Sequence, residues 1–235
     1  LARSVAVLAA RAHDGRFGEI LDLGIGQGDR LRKLTGKDAR RFFTHMRKQL
    51  DIGISEDETS VLTGFCAELG RQRSDCVRLA RWLADGSSND RNASAWMTEF
   101  LETGMTPDAF AHLRSIFYTK GNELRQNPVT KTLAGKNPAL AALLQEVGAR
   151  VERVEQRRRA AITAELTEAV VTVALAVLQV YRRMKRERAA LDYDDLILST
   201  IALLEKSDAA LWVLYKLDGG TDHILVDEAQ DTSPQ

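Results

Sequence analysis

The sequence predicts a mostly α-helical protein that ends in a short segment of α/β character. Apolar residues recur at helical spacing over most of the 235 residues, and helix start and stop signals bound these stretches. Strand-like sequence occurs only once, in the apolar run at 223–226. A composition of 44% hydrophobic and 28% charged residues is typical of a globular chain with a core of its own, and it argues against disorder.

Charge and cysteine content narrow the class of protein further. The net charge is zero, so it indicates neither a nucleic-acid nor an acidic partner. From Leu191 onward, however, ten acidic residues stand against two basic ones, so a mildly basic body precedes an acidic end. Cys66 and Cys76 complete no zinc pattern, which favours a reduced, cytoplasmic protein. The Leu-Ala-Arg start resembles a boundary inside a longer protein.

The first helices are predicted from their ends. Ser55 and Glu58 have the spacing of a capping box, and the apolar stripe that follows closes at Gly70. A second helix is predicted over 74–85. A third should begin at Thr106-Pro107-Asp108, with Pro107 at the first helical position.

The middle of the chain predicts a long loop and then a long helix. Residues 121–137 are rich in Gly, Pro and basic residues and show no period, whereas 138–188 are helical again. The apolar run at 169–180 is too short to span a bilayer, so a buried helix is expected there. Six aromatic residues at helical spacing are expected to lie in the core rather than to stack on bases: Phe42, Phe43, Trp82, Trp96, Phe100 and Trp212.

The strand-like run delivers adjacent carboxylates at its C-terminal end. Ligands of open α/β sheets bind at that end of a strand. Asp227 is therefore a candidate for holding Mg²⁺, and Glu228 for orienting and deprotonating an attacking water in nucleotide hydrolysis. Such a pair taken alone is also common in turns and helix caps. The residues around it are therefore needed to distinguish a catalytic role from a structural one.

The string DEAQD at 227–231 closely resembles motif II of UvrD-like superfamily 1 DNA helicases. The resemblance implies that Asp227, Glu228 and Gln230 serve ATP and its metal ion, with Glu228 and Gln230 catalytic. It also implies that Gln230 and Asp231 link the nucleotide site to the DNA-binding motifs. Upstream, LDYDDL at 191–196 resembles the segment that precedes motif II in this family.

The residues of LDYDDL have a local explanation as well. Asp192 is a plausible N-cap and Asp195 a third-position acid, which favours a structural role over a direct DNA contact. Five apolar residues are expected to bury the helix that follows: Leu196, Ile197, Ile201, Leu203 and Leu204.

The segment 212–220 resembles AddA helicase-nucleases more than UvrD or Rep. Phe117 to Gly121 and the helix ending at Tyr181 and Lys185 fit the helical insertion called 1B in that family. The resemblance implies a 1B-like domain over 1–188 and a partial return into the 1A P-loop ATPase domain over 189–235. It further implies ATP and Mg²⁺ as cofactors, single-stranded and duplex DNA as ligands, an AddB-like partner subunit and a role in double-strand-break repair. An exonuclease domain would lie beyond Gln235.

The sequence also departs from the family pattern. No Gly-x4-Gly-Lys-Ser/Thr P-loop occurs, because Gly36-Lys37 and Gly135-Lys136 lack both the first Gly and the final hydroxyl. Residues 1–235 alone are therefore expected to be inactive as an ATPase. Two alternatives stay open: a non-enzymatic helical interaction module, and a UvrD or Rep-type helicase without a nuclease.

Two basic clusters are either phosphate-binding surfaces or solvated helix faces, since acidic residues interleave with both. They comprise Arg150, Arg153, Arg157, Arg158 and Arg159, and then Arg182, Arg183, Lys185, Arg186 and Arg188.

Overall fold

The computed structural model describes residues 1–11, 18–19, 22, 26–36, 38–205, 207–216, 223 and 225. Within these residues the chain is helical and contains no β-strand, and one isolated antiparallel bridge joins Tyr118 and Leu124. The helices are α1 (Ala2–Arg11), α2 (Gly28–Thr35), α3 (Ala39–Gln49), α4 (Glu58–Gly70), α5 (Arg73–Ala84), α6 (Ser88–Glu102), α7 (Phe110–Phe117), α8 (Lys131–Lys136), α9 (Pro138–Glu187), α10 (Tyr193–Leu204) and α11 (Ser207–Lys216).

The chain forms two compact units, Leu1–Leu178 and Gln179–Gln235. The division falls inside α9, whereas the sequence-based boundary was placed after that helix. The assignment of the two parts to 1B-like and 1A-like domains stays a prediction.

The first unit has a core built by α4 to α7 and the first part of α9. Phe100, Leu79, Leu83 and Leu113 are fully buried there, and each such side chain stabilises the fold by about 1.5–3 kcal/mol. The predicted burial of Trp82 and Phe100 is confirmed. Phe42, Phe43 and Trp96 are half-buried.

The predicted burial of Trp212 is wrong, because 61% of its surface is exposed. It lies in the second unit, where apolar side chains on α10 and α11 remain largely uncovered among the described residues.

The start of α4 differs from the predicted capping box by two residues. Asp57, not Ser55, is the N-cap, and its carboxylate accepts a 2.8 Å hydrogen bond from the amide of Ser60. The Ser60 hydroxyl in turn accepts from the amide of Asp57 at 2.9 Å. Ser55 instead belongs to a preceding turn in which Glu56 accepts from the amide of Gly53. Asp is as good an N-cap as Ser, so local spacing alone did not decide between them.

Two other predicted boundaries also differ from those in the structure. Thr106 and Pro107 begin a turn rather than a helix, because the amides of Ala109 and Phe110 donate to carbonyls three residues back, and α7 starts only at Phe110. The predicted loop at 121–137 contains the short helix α8.

The long helix is confirmed in one piece. Its 50 residues extend for about 75 Å. By length and composition alone α9 could cross a membrane, but the buried core helices of soluble proteins have the same length and composition. Gly148 lets the ring of Phe117 approach closely, since a Cβ there would stand 2.8 Å from Phe117 Cε1.

Candidate functional site

The carboxylates of the predicted motif II lie outside the described residues. This holds for Asp227, Glu228, Gln230 and Asp231, so their roles stay predictions. Of the strand-like run the structure describes only His223 and Leu225. Neither lies in a strand, and Leu225 is 97% exposed.

The described part of the candidate site is the approach to motif II, where α9 ends and α10 begins. The long helix closes with Ala189 in the left-handed region at φ 49°. The amide of Ala190 then donates to the carbonyl of Lys185 at 3.0 Å, and that of Ala189 donates to Arg186 at 3.2 Å. This is the pattern that satisfies the last carbonyls of a helix, usually with glycine at the left-handed position.

The start of α10 is capped as the sequence predicted. Asp192 is the N-cap and accepts from the amide of Asp195 at 2.9 Å, while Asp195 accepts from the amide of Asp192 at 3.1 Å. The two acids form a reciprocal capping box. The structural roles predicted for Asp192 and Asp195 are confirmed.

A lysine from the long helix joins the two acids. Lys185 Nζ donates to Asp192 Oδ2 at 2.7 Å and to Asp195 Oδ2 at 2.5 Å, and it lies 4.8 Å from the ring centre of Tyr181. The Tyr181 hydroxyl donates to Asp192 at 3.1 Å. The end of α9 and the first turn of α10 are thus tied together within the second unit.

The charges of this network shift its pKa values. The hydrogen bond from Lys185, followed by that from the amide of Asp195, lowers the pKa of Asp192 from 3.8 to about 2. Burial alone would lower the pKa of Lys185, but hydrogen bonds to both carboxylates outweigh it and raise that pKa. Both partners therefore stay charged across the physiological range.

The predicted burial of the apolar residues of α10 is wrong for four of five positions. Leu196, Ile197, Leu203 and Leu204 are between 42% and 50% exposed, and Ile201 is half-buried.

The first basic cluster on α9 is largely neutralised by acids of the first unit. Arg150 donates to Glu68 at 3.0 Å and to Gln72 at 2.5 Å. Arg157 forms a bidentate pair with Glu56. These contacts favour a structural interpretation of that face over a phosphate-binding one.

The centre of this charge network is Glu155, one of the acids that interleave with the basic cluster, and its central position was not predicted from the sequence. Only 1% of its side chain is exposed, yet it pairs with Arg158 at 2.9 Å, Arg159 at 3.0 Å and Arg114 at 3.2 Å. Burial would raise the pKa of Glu155, but these arginines outweigh it and lower the pKa. The spacing of Glu155 to Arg158 and Arg159 was the available signal, because residues three and four apart meet on a helix.

The second basic cluster contains a weak pair, Arg183 with Glu187 at 3.7 Å, besides the bound Lys185. Among the residues that the structure describes, no group of three His, Cys, Asp or Glu could hold a metal ion. The residues predicted to hold ATP and Mg²⁺ fall outside that part of the chain.

Comparison with known proteins identifies a family. A family model described as the UvrD/REP helicase N-terminal domain matches residues 30–235. No curated protein and no solved structure matches the chain.

Proposed function

The chain belongs to the UvrD/REP helicase family, and on that premise we propose that it is part of an AddA-type ATP-dependent DNA helicase, running from the helical 1B region to motif II. Members of this family generally use ATP and Mg²⁺ and act on DNA. The observation that supports a helicase is the match over 30–235, which extends through the DEAQD string.

In this proposal Asp227 holds Mg²⁺, directly or through water, and Glu228 orients and deprotonates the attacking water. Gln230 contacts the nucleotide, and Asp231 passes the nucleotide state to the DNA-binding motifs. When bound, Mg²⁺ supplies neutralisation of the charge that develops on the phosphates. The AddA type, double-strand-break repair, an AddB-like partner and a cytoplasmic location belong to the proposal as well. The segment 212–220 supports the first of these, and the two free, buried cysteines agree with a reducing compartment.

The network of Lys185, Asp192 and Asp195 has a supporting role. It fixes the first turn of α10, the helix that leads through α11 toward the predicted motif II. We propose that it positions this approach and makes no direct contact with DNA, because its charges are already satisfied by one another.

The test is single-stranded-DNA-stimulated ATP hydrolysis by the intact parent chain with Glu228→Gln, which keeps the size of the side chain and removes the base. Turnover should fall by about 10² to 10⁴, the usual contribution of a general base, while ATP binding survives. Asp222→Asn, an acid ahead of the strand-like run, is the matched control and should leave turnover unchanged. Unchanged turnover in Glu228→Gln would refute the motif II assignment and favour the non-enzymatic helical module.

Residues 1–235 by themselves should show no Mg²⁺-dependent ATPase activity, because no P-loop sequence occurs within them. Measurable turnover by this purified chain would contradict the proposed division of the ATPase site.

A further inference from the structure

A cleft of about 440 Å³ lies in the first unit, between α6 and the segment that leads into α8. One of its walls is a single helix face. Asn89, Asn92, Ala93 and Trp96 line the cleft, and their spacing of three, four and seven residues places them on the same side of α6.

The other wall is the segment from Arg125 to Lys131, and the buried Asp90 holds it in place. Asp90 accepts from the amide of Thr130 at 2.9 Å and from its hydroxyl at 2.7 Å. It also accepts from the amide and hydroxyl of Ser87 at 2.9 and 2.8 Å. Burial would raise the pKa of Asp90, but these hydrogen bonds outweigh it and lower the pKa.

Close packing behind Asp90 adds rigidity. A Cβ at Gly86 would stand 2.4 Å from Asp90 Cβ, so only glycine allows this approach. The segment opposite α6 is therefore fixed before any ligand arrives, and such preorganisation lowers the cost of binding.

Several groups in the cleft are available to a ligand. Trp96 is half-buried, so it packs against the core and also lines the cleft. The side-chain amides of Asn89, Asn92 and Asn127 have no hydrogen-bond partner within the described part of the chain. Lys131 likewise forms no ion pair there.

The charge of the cleft favours an anion. Arg125 and Lys131 supply two cations, and the one carboxylate in the lining, Asp90, is already occupied by four hydrogen bonds. The Nε–H of Arg125 donates to the carbonyl of Tyr118 at 3.3 Å, and this hydrogen bond limits the orientations that the guanidinium group can adopt.

An aromatic ring, unpaired amides and two cations are the groups that bind a nucleotide. Aromatic side chains stack on bases, Asn amides pair with base edges and cations hold phosphate. The volume lies in the range of small-ligand sites, about 300–1,000 Å³. We propose that this cleft binds one unpaired nucleotide of single-stranded DNA, its base against Trp96 and its phosphate on Lys131 and Arg125. Only the choice of DNA rests on the proposed function.

The experiment is fluorescence anisotropy with the 235-residue chain, without ATP, and a fluorescein-labelled short oligothymidylate. Lys131→Glu should weaken binding by about tenfold and lower the salt slope by about one, as expected for a lost phosphate contact. Lys136→Glu makes the same charge change on the same helix, outside the cleft, and should alter affinity by less than about twofold. Both lysines are exposed, so neither change threatens the fold.

Stacking is tested separately from charge. Trp96→Leu should weaken binding of oligothymidylate by at least about fivefold, whereas Trp96→Phe keeps an aromatic face and should retain most of the affinity. An abasic oligonucleotide of the same length should bind the wild-type chain as weakly as oligothymidylate binds Trp96→Leu.

Four outcomes would overturn the proposal: no binding by the wild-type chain, equal losses in Lys131→Glu and Lys136→Glu, equal affinity for the abasic strand, or equal competition by an acidic peptide. The readout does not involve motif II. If the cleft does not bind DNA, Glu228→Gln should still lower ATP hydrolysis by the parent chain. If Glu228→Gln does not lower ATP hydrolysis, the anisotropy measurement still decides whether the cleft binds the oligonucleotide.

Discussion

Replacing Lys185 by Met should loosen the first turn of α10. Lys185 is 15% exposed and binds both Asp192 and Asp195, which are the two acids of the capping box. Methionine keeps the apolar stem and removes the ammonium group. The two carboxylates then repel each other at a helix start, and the reciprocal capping bonds weaken.

The size of the effect follows from the pKa of Asp192. Its fall from 3.8 to about 2 corresponds to roughly 2.4 kcal/mol, at about 1.36 kcal/mol per tenfold change. Lys185 is the largest cause of this shift, but the amide of Asp195 and the hydroxyl of Tyr181 contribute as well and remain in the variant. Because 36% of the Asp192 side chain is also exposed to solvent screening, the expected loss is about 1 kcal/mol. A loss of about 1 kcal/mol corresponds to about fivefold more frequent opening of the turn.

Native-state amide exchange over 189–205 measures that opening. Lys185→Met should lower protection there by about fivefold. Arg186→Met removes a neighbouring cation that has no acidic partner among the described residues, so it should have little effect. Equal protection in the two variants would refute the reasoning.

The same network predicts a pH window with a definite sign. A lowered carboxyl pKa contributes stability above 3.8 that is lost as the pH falls toward about 2. The raised pKa of Lys185 contributes stability below 10.5 that is lost as the pH rises through the raised value. Protection in the wild type should therefore decline at both extremes, and the acid decline should be smaller in Lys185→Met.

Three further predictions concern stability. Glu155→Gln leaves its arginine partners uncompensated and should lower the free energy of unfolding by about 3 kcal/mol in urea denaturation; a loss below about 1 kcal/mol would contradict the charge argument. Gly148→Ala should cost about 1–3 kcal/mol through a clash with Phe117, whereas Gly64→Ala, which meets nothing within 4 Å, should stabilise by up to about 1 kcal/mol; a gain in both would refute the clash. Ala189→Gly should raise the free energy of unfolding of the second unit by about 1 kcal/mol, because only glycine adopts φ 49° without cost. An unfolding temperature that does not rise in a calorimetric scan would contradict this.

The sequence predicted those features that depend on local chemistry. The long helix and the cap at Asp192 are set by residues within one or two turns, and both are confirmed. The cap of α4 was placed two residues too early, since Ser55 and Asp57 are equally good N-caps. Only the turn made by Gly53 and Glu56 decides between them.

Burial was harder to predict, because an apolar stripe does not specify what covers it. Trp82 and Trp212 both lie at helical spacing among aliphatic residues, yet one is 7% exposed and the other 61%. The long-range contacts of Glu155 and Asp90 were missed for a related reason. Their partners Arg114 and Thr130 stand about 40 residues away, and no local pattern connects residues so far apart in the chain.

These pairings change which cations can serve a polyanion. Counted from the sequence, the arginines of α9 form the most basic face, but Arg157 and Arg158 already bind carboxylates, and releasing them would leave buried or half-buried acids unpaired. A cation without an acidic partner loses nothing comparable when it meets a phosphate. Affinity for DNA in the first unit should therefore depend on isolated cations such as Lys131 more than on the densest basic run, and its salt dependence should be shallower than the number of basic residues implies.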